Sequence, residues 1–384
     1  MQLKPIAQSF AVEYRYTLYF TEQLFSKDNP LFHEVLARYK KDTQNRLLFV
    51  IDEAVVARHP DLIVSIREYC SFFEKTLLLT EVLTLPGGET SKNDTAHLNA
   101  VLTAINDAHI DRHSFVVCIG GGALVDMVGY AATIAHRGVK CIRIPTTVLA
   151  QNDAAVGVKN GINSFQKKNF LGTFALPYAI INDSHFLTTL EQRDWIAGVS
   201  EAVKVALIKD RSFFEFIEEK ADALRERNME TMQLLIHRCA EMHMQHIAQG
   251  GDPFESGSSR PLDFGHWAAH KMEQMTQYRL RHGEAVAKGI ALDVTYAHLT
   301  GLLTEPLLQR ILGVLERIGF DLTIPVSDAA EIQTLLKGIQ EFREHLGGTL
   351  CITLITGIGI KHDVDRIDMA QMERAVTFLN SRYP

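Results

Sequence analysis

The stretch SFVVCIGGGALVDMVGYAATIAHRGVKCIRIPTT (114–147) decides the fold. SFVVCIGGG (114–122) is a short apolar, β-branched run that ends on three glycines, and it reads as a buried strand. ALVDMVGYAATIAHRG (123–138) repeats apolar residues at spacings of three and four, which is helical. VKCIRIPTT (139–147) is a second buried strand. A strand, a helix and a strand in this order make a crossover unit, so the two strands run parallel. The glycines at the strand-to-helix turn carry a second message. Without Cβ atoms a phosphate can approach the backbone, where a helix N-terminus offers amide donors and positive potential. The spacing is not GxGxxG, and a plain tight turn would use the same residues.

The alternation continues outward. RLLFVIDEAV (46–55), KTLLLTEVLTL (75–85) and YAIINDSHF (178–186) read as strands, with PDLIVSIREYCSFFE (60–74) and DTAHLNAVLTAINDA (94–108) as helices between them. Such alternation implies a mostly parallel, doubly wound sheet. From about residue 186 the texture is helical throughout: TTLEQRDWIAGVSEAVKVALIKD, RSFFEFIEEKADALRER, METMQLLIHRCAEMHMQHIAQ, DFGHWAAHKMEQMTQYRL, HGEAVAKGIALDVTYAHLTGLL and, last, DMAQMERAVTFLNSR. The expectation is an α/β, doubly wound, Rossmann-like N-terminal domain over residues 1–185 and an all-α C-terminal domain over 186–384. GGDPFESGSSRP (250–261) is a Gly/Ser-rich loop that feeds a His-rich helix, a natural lip for a site.

A chain of 384 residues exceeds what one core supports and suits two domains of roughly 150–200 residues each. With 39 basic and 46 acidic side chains the net charge is −7, which argues against a nucleic-acid backbone as partner but leaves small anions open. The opening MQLKPIAQSF has no apolar run of signal-peptide type, and no segment approaches about 18 uninterrupted apolar residues, so neither secretion nor a membrane is expected. Five scattered cysteines without a CxxC pair fit a reducing cytoplasm better than a disulfide framework or a zinc knuckle.

Several polar groups stand out from this background. Asp52, at the end of FVID, could hold ribose hydroxyls or cap the next helix. PGGETSK (86–92) is a Gly-rich turn with Glu89 and Lys92. IPTTVLAQNDAAVGVKNGIN (144–163) crowds Thr146, Thr147, Asp153 and Lys159 beyond a strand, with Lys168 and Asn169 soon after, in the place where a doubly wound fold binds ligands. Glu201 and Lys204 lie at i and i+3 on an otherwise apolar helix, which by itself suggests an ordinary ion pair. His266 and His270 share a helix face at i, i+4, Asp263 precedes them, and His282 opens the next helix. With Glu201, two of these histidines make the Glu/His/His set of a catalytic zinc with an open position. With 16 histidines in the chain, chance HxxxH pairs are expected, and HGEAVA could equally be a packed helix start.

Taken in order, GGETSK (87–92), GGGALVDMVGY (120–130), HRG (136–138), PTT (145–147), a DxxVGxK stretch (153–159), KN (168–169), ExxK (201–204), DFGHxxxH (263–270) and HGEAVA (282–287) resemble the sugar phosphate cyclases, the superfamily of 3-dehydroquinate synthase. The resemblance implies a two-domain enzyme, commonly a homodimer, with NAD and a divalent metal, usually zinc with cobalt possible, in the interdomain cleft. It assigns Glu201, His266 and His282 to the metal. It places Asp52, Glu89, Lys92, Gly121, Gly122, Asp126, Thr146, Thr147 and Lys168 around NAD, with Thr189 and Leu190 near it. It directs Asp153, Lys159, Lys168, Asn169, Lys204 and His270 to the substrate, and carries Arg137 across a dimer interface toward the substrate phosphate. The implied chemistry is transient oxidation of a secondary alcohol, which acidifies the neighbouring C–H. β-Elimination of phosphate, return of the hydride, ring opening and an intramolecular aldol follow, so NAD is not consumed. Metal and Lys204 would polarise the oxygens; Lys159, His270 and Arg137 would bind phosphate as charge-assisted donors.

The sequence departs from the dehydroquinate synthase pattern where that pattern grips a substrate carboxylate. No Lys lies between Cys239 and Gln249, where His243, Gln245 or His246 falls nearest instead. The clamp Arg position holds Ser259, with Arg260 shifted by one, and the Asn of NFGH is Asp263. A carboxylate added beside a bound anion costs Coulomb energy unless paired or protonated. Arg343 is the stand-in for a late Lys near the phosphate. The expected function is therefore a sugar phosphate cyclase acting on a hexose or heptulose phosphate, with true 3-dehydroquinate synthase as the alternative. A metal-dependent polyol dehydrogenase of glycerol type is a rival of the same architecture, against which Lys159, Lys168 and Lys204 argue. A catalytically dead NAD-binding scaffold is a rival of another class.

Overall fold

The computed structural model describes residues 3–40, 43–165, 167–250, 254, 262–345 and 350–383. Six strands form a parallel sheet: β1 (Thr17–Thr21), β2 (Asn45–Asp52), β3 (Leu77–Leu85), β4 (Phe115–Gly120), β5 (Lys140–Pro145) and, later in the chain, β8 (Ala179–Asp183), in the order β1-β8-β5-β4-β2-β3. The continuous apolar runs of β2 and β4 are buried on both faces, as a parallel sheet covered by helices requires. The covering helices are α1 (Leu31–Ala37), α2 (Glu53–Arg58), α3 (Leu62–Phe72), α4 (Thr95–Asp107) and α5 (Gly122–Ile134). One apolar layer joins Ile66, Tyr69 and Phe32 to Phe49, Val117 and Ile144; the opposite layer joins Val101, Val125 and Val128 to Val50, Cys118 and Val116.

Between β5 and β8 the polar stretch after Thr147 makes a turn of π-helix (Ala150–Ala154), then an antiparallel hairpin of β6 (Lys159–Ser164) and β7 (Lys167–Phe174). No alternating apolar pattern announces this hairpin. It is held by polar side chains: the buried Arg143 on β5 donates to the carbonyls of Ala155 (2.8 Å) and Gly157 (2.6 Å) and to Asn160 Oδ1 (2.7 Å).

Beyond β8 the chain is helical: α6 (Gln192–Ala197), α7 (Val199–Lys209), α8 (Arg211–Glu219), α9 (Ala221–Arg225), α10 (Met229–Gln249), α11 (His266–Met275), α12 (His282–Leu299), α13 (Glu305–Ile318), α14 (Ala329–His345) and α15 (Met369–Arg382). One departure from an all-α half is the hairpin of β9 (Ile352–Gly357) and β10 (Ile360–Val364), packed on α7 and α12. α12 runs through the middle of this half, with 14 buried residues, and its all-round apolar surface is why it packs against α7, α11, α13 and α15. Val148 and Leu187 belong to the helical core, so the end of the sheet half is built into it.

Candidate active site

β2 and β4 are neighbours although β3 lies between them in sequence, so the strand order reverses there and a crevice opens beyond their carboxyl ends. Asp52 ends β2 and Gly120 ends β4. Asp52 is buried and caps α2, accepting from the Ala54 N–H at 2.9 Å; burial, partly offset by that bond, raises its pKa. A Cβ built on Gly87 would lie 1.9 Å from Asp52 Oδ2, so only glycine lets the PGGETSK turn come this close. Gly121 is the N-cap of α5 and offers no side chain of its own there. Thr146 donates its N–H to the Gly120 carbonyl (3.0 Å), and Thr147 Oγ1 accepts from the Ala150 N–H (3.1 Å).

One wall of the crevice is a closed polar network. Lys92 is only 3% exposed, lies 2.9 Å from Asp126 and 3.8 Å from Glu89, and donates to Asn169 Oδ1. Asn163 donates to Glu89 (3.0 Å) and Asn93 (2.9 Å), and its oxygen accepts the Asn169 N–H (2.8 Å). Asn169 sits at φ +53°, a strained backbone held by these bonds.

The facing wall is a cluster of charged and imidazole groups. Glu201 on α7, His266 at the start of α11 and His282 at the start of α12 bring one ligand atom each within 4.8 Å of one another. His266 Nε2 and His282 Nε2 stand 3.6 and 3.5 Å from Glu201 Oε1. Glu201 is fully buried and neither of its oxygens has a hydrogen-bond partner of good geometry, although Lys204 forms an ion pair with it. Burial opposes ionisation, but Lys204 and His266 hold the carboxyl well below its usual range. Each imidazole gives its other nitrogen to an acceptor: His266 Nδ1 to the Phe264 carbonyl (3.0 Å), His282 Nδ1 to Glu273 (3.1 Å). Both Nε2 atoms therefore face Glu201; burial opposes a charge on His282, but Glu273 and Glu201 raise its pKa to about 9, and a bound cation would take the place of that proton. Two such nitrogens and a buried carboxylate with unsatisfied oxygens are a donor set that fits a divalent ion with an open position.

Glu273 also belongs to this cluster, although no sequence motif singles it out. It lies seven residues after His266, on the same helix face, and bridges His282 to Lys168 (3.0 Å). Burial works against both charges, yet Glu273 raises the Lys168 pKa, and His282, then Lys168, lower that of Glu273. His270 lies beside His266 and stacks on His282 with centroids 5.8 Å apart. His270 is open to the cleft, and desolvation by the cleft walls, then Lys168 and His266, push its pKa well below the usual value. Lys159 is exposed to the cleft, and desolvation by the cleft walls lowers its pKa.

α10 contributes His243, whose Nδ1 is 3.0 Å from Asp153, and His246, whose pKa falls to about 4 through burial and the nearby Lys209 and His243. Gln245 is exposed. Asp263 is buried, accepts from Thr353 Oγ1 at 3.3 Å, and leaves Oδ2 without a partner; burial raises its pKa. Arg137 is exposed on a turn where His136, Arg137 and Gly138 have φ of 50°, 62° and 117°. Thr189 Oγ1 pairs with His59 (2.9 Å), and the Leu190 carbonyl accepts from Arg227 (2.7 Å). Arg343 lines a cavity of about 520 Å³ with Gln340, Leu350 and Arg366. Ser259 and Arg260 lie outside the described residues.

A doubly wound sheet joined to a helical half, with a glycine-rich helix start facing a Glu/His/His cluster, defines an architecture seen in solved enzymes. ValA, a 2-epi-5-epi-valiolone synthase from Streptomyces hygroscopicus subsp. jinggangensis 5008 determined with NAD+ and Zn2+ bound, is 28% identical, with a TM-score of 0.88 covering 98% of this chain and 100% of that one. A 2-deoxy-scyllo-inosose synthase shares the fold at a TM-score of 0.76 and 22% identity, over 94% of this chain and 95% of that one. Family models described as 3-dehydroquinate synthase N-terminal and C-terminal match residues 82–197 and 198–341. A 3-dehydroquinate synthase of Shewanella sp. (strain MR-4) is 32% identical over 365 residues, 95% of this chain and 96% of that protein. The chain belongs to the 3-dehydroquinate synthase family, within the sugar phosphate cyclases. No helix among the described residues is long and apolar enough to cross a membrane.

Proposed function

We propose that this chain is an NAD- and metal-dependent sugar phosphate cyclase whose substrate, a hexose or heptulose phosphate, lacks the carboxylate of a heptulosonate. Asp263 carries the reading. Its buried Oδ2 has no hydrogen-bond partner, so it can accept from a sugar hydroxyl but would repel a carboxylate. α10 adds no cation to offset it: His243 is engaged by Asp153, and His246 is neutral at pH 7.

Residues 1–185 form the cofactor half and 186–384 the metal half. Asp52, Glu89, Lys92, Gly121, Gly122, Asp126, Thr146, Thr147 and Lys168 surround NAD, with Thr189 and Leu190 at its edge; the nicotinamide supplies a hydride acceptor that is regenerated in the same turnover. Glu201, His266 and His282 hold a divalent ion, zinc in the first instance, which acts as a Lewis acid on the substrate oxygens. Lys204 donates to the oxygen being oxidised, its charge sustained by Glu201. Lys159 and His270 bind the phosphate, and a bound dianion would raise both pKa values. Asp153 and Asn169 orient hydroxyl groups, and Arg260 is assigned to the substrate by its place in the sequence alone. The strained exposed turn offers Arg137 to the cleft of a second copy in a homodimer. Five buried thiols suit a cytoplasmic protein.

The relatives' name supports a second reading, 3-dehydroquinate synthase itself. Phosphate release from heptulosonate, heptulose and hexose phosphates, with NAD and zinc, separates the two. Release from a carboxylate-free sugar is expected; release from the heptulosonate alone would sink the proposal. Net accumulation of NADH would instead mean a polyol-type dehydrogenase.

A further inference from the structure

The two histidines of the cluster are backed differently. His282 gives its Nδ1–H to a carboxylate, Glu273, directly. His266 gives its Nδ1–H to a backbone carbonyl, that of Phe264 (3.0 Å). The N–H of the same peptide unit belongs to Gly265, and it donates to Asp293 Oδ2 at 3.0 Å. Asp293 is fully buried on α12, and its other oxygen accepts the indole N–H of Trp267 at 2.9 Å. One carboxylate thus grips the residues on both sides of His266.

The packing leaves this peptide little freedom. Gly265 is left-handed at φ +77°, and a Cβ there would lie 2.9 Å from the Ile290 backbone nitrogen. A Cβ on Gly289 would lie 2.0 Å from the Gly265 carbonyl oxygen. Two glycines therefore let the turn press against α12, one helical turn from Asp293. A carboxylate hydrogen-bonded to a peptide N–H polarises that peptide and makes its carbonyl a stronger acceptor.

We infer that Asp293 is the positioning residue for His266, acting through the Phe264–Gly265 peptide as Glu273 acts directly on His282. The proposal rests on His266 being a metal ligand. Asp293 touches neither ion nor substrate. It holds the peptide plane that sets the imidazole's tautomer and aim, and it adds to the basicity of Nε2.

Asp293→Asn is nearly isosteric but turns one acceptor into an NH2 group that must face a donor, either Gly265 N–H or the indole. Trp267→Phe removes only the second bond and leaves the relay intact. Co2+ affinity of the metal-free protein, followed by visible absorption, reads the effect independently of turnover. We expect D293N to weaken Co2+ binding about tenfold and to shift its absorption bands, while the metal-free variant stays folded by circular dichroism despite a lower melting temperature. W267F should stay within about twofold. Unchanged Co2+ affinity in D293N, or an equal loss in W267F, would overturn the inference. H266A is the control: if it binds Co2+ like the parent protein, the ligand assignment fails and the inference with it. If H266A loses the ion and D293N does not, only the inference fails. Should D293N not fold, the parent protein labelled with 15N-glycine gives the second measurement. Zinc should move the Gly265 amide resonance, and a stationary resonance would refute the relay.

Discussion

The two walls of the crevice are built on opposite principles. On the sheet side, Lys92, Glu89, Asp126, Asn163 and Asn169 satisfy one another through short hydrogen bonds and ion pairs. On the helical side, Glu201 is buried with unsatisfied oxygens, Asp263 has one orphan oxygen, and three imidazoles crowd together. The first wall is complete as a scaffold before any ligand arrives. The second stores an unpaid desolvation cost that a cation at its centre would relieve. The wall with nothing left to satisfy shapes the crevice, and the wall with unmet demand marks the chemistry.

Replacing Glu201 or His266 by Ala should break the helical wall most severely. Metal binding is expected to vanish, and turnover to fall about 10³-fold or more, in line with several kcal/mol of lost Lewis-acid stabilisation. Metal-free and metal-loaded protein compared by calorimetry sharpen the same contrast. Zinc at a free concentration a thousandfold above its Kd should stabilise the parent protein by about 4 kcal/mol, and should leave E201A unchanged.

On the sheet wall, Lys92→Met removes the cation that two carboxylates share. Because Glu89 and Asp126 keep some solvent access, a loss of about 2 kcal/mol in urea unfolding is expected, less than the 3–5 kcal/mol or so of a fully buried pair. If K92M cost nothing, the idea of a self-sufficient scaffold would fail.

The smallest effect lies away from both walls. Asp210 caps α8, accepting from Phe213 N–H at 3.1 Å and from Arg238 at 2.7 Å. Burial opposes its charge, but the Ser212 and Arg238 bonds lower its folded pKa. The stabilisation is therefore present above the unfolded carboxylate value of about 4 and is lost as pH falls through the folded value. D210N should cost about 1 kcal/mol at pH 7, and its melting temperature should converge on the parent's toward pH 3.

Much of the sheet could be read from apolar runs because strands covered on both faces have no polar positions to blur the pattern. Within 46–55 the strand stops at Asp52, because that side chain caps the next helix. The hairpin of β6 and β7 escaped because Asn160 and Asn163, poor strand formers by propensity, are held there by Arg143, Glu89 and Asn93. The β9–β10 hairpin escaped because one short apolar run, CITLITG, lies among long helices. Glu273 and Asp293 escaped for a shared reason. A lone acid within a helix looks like an exposed charge until its neighbours are known.

Local sequence alone determined the strand–helix alternation, the helical second half and the ordered set of motifs, because each depends on residues a few positions apart. Only the tertiary structure decided that Glu201, His266 and His282, from three different helices, converge on one point. It also decided which acids face solvent and which stand buried behind an imidazole. Convergence, burial and partner choice are set by packing between elements distant in sequence, where free energies of a few kcal/mol depend on distances that no local pattern encodes.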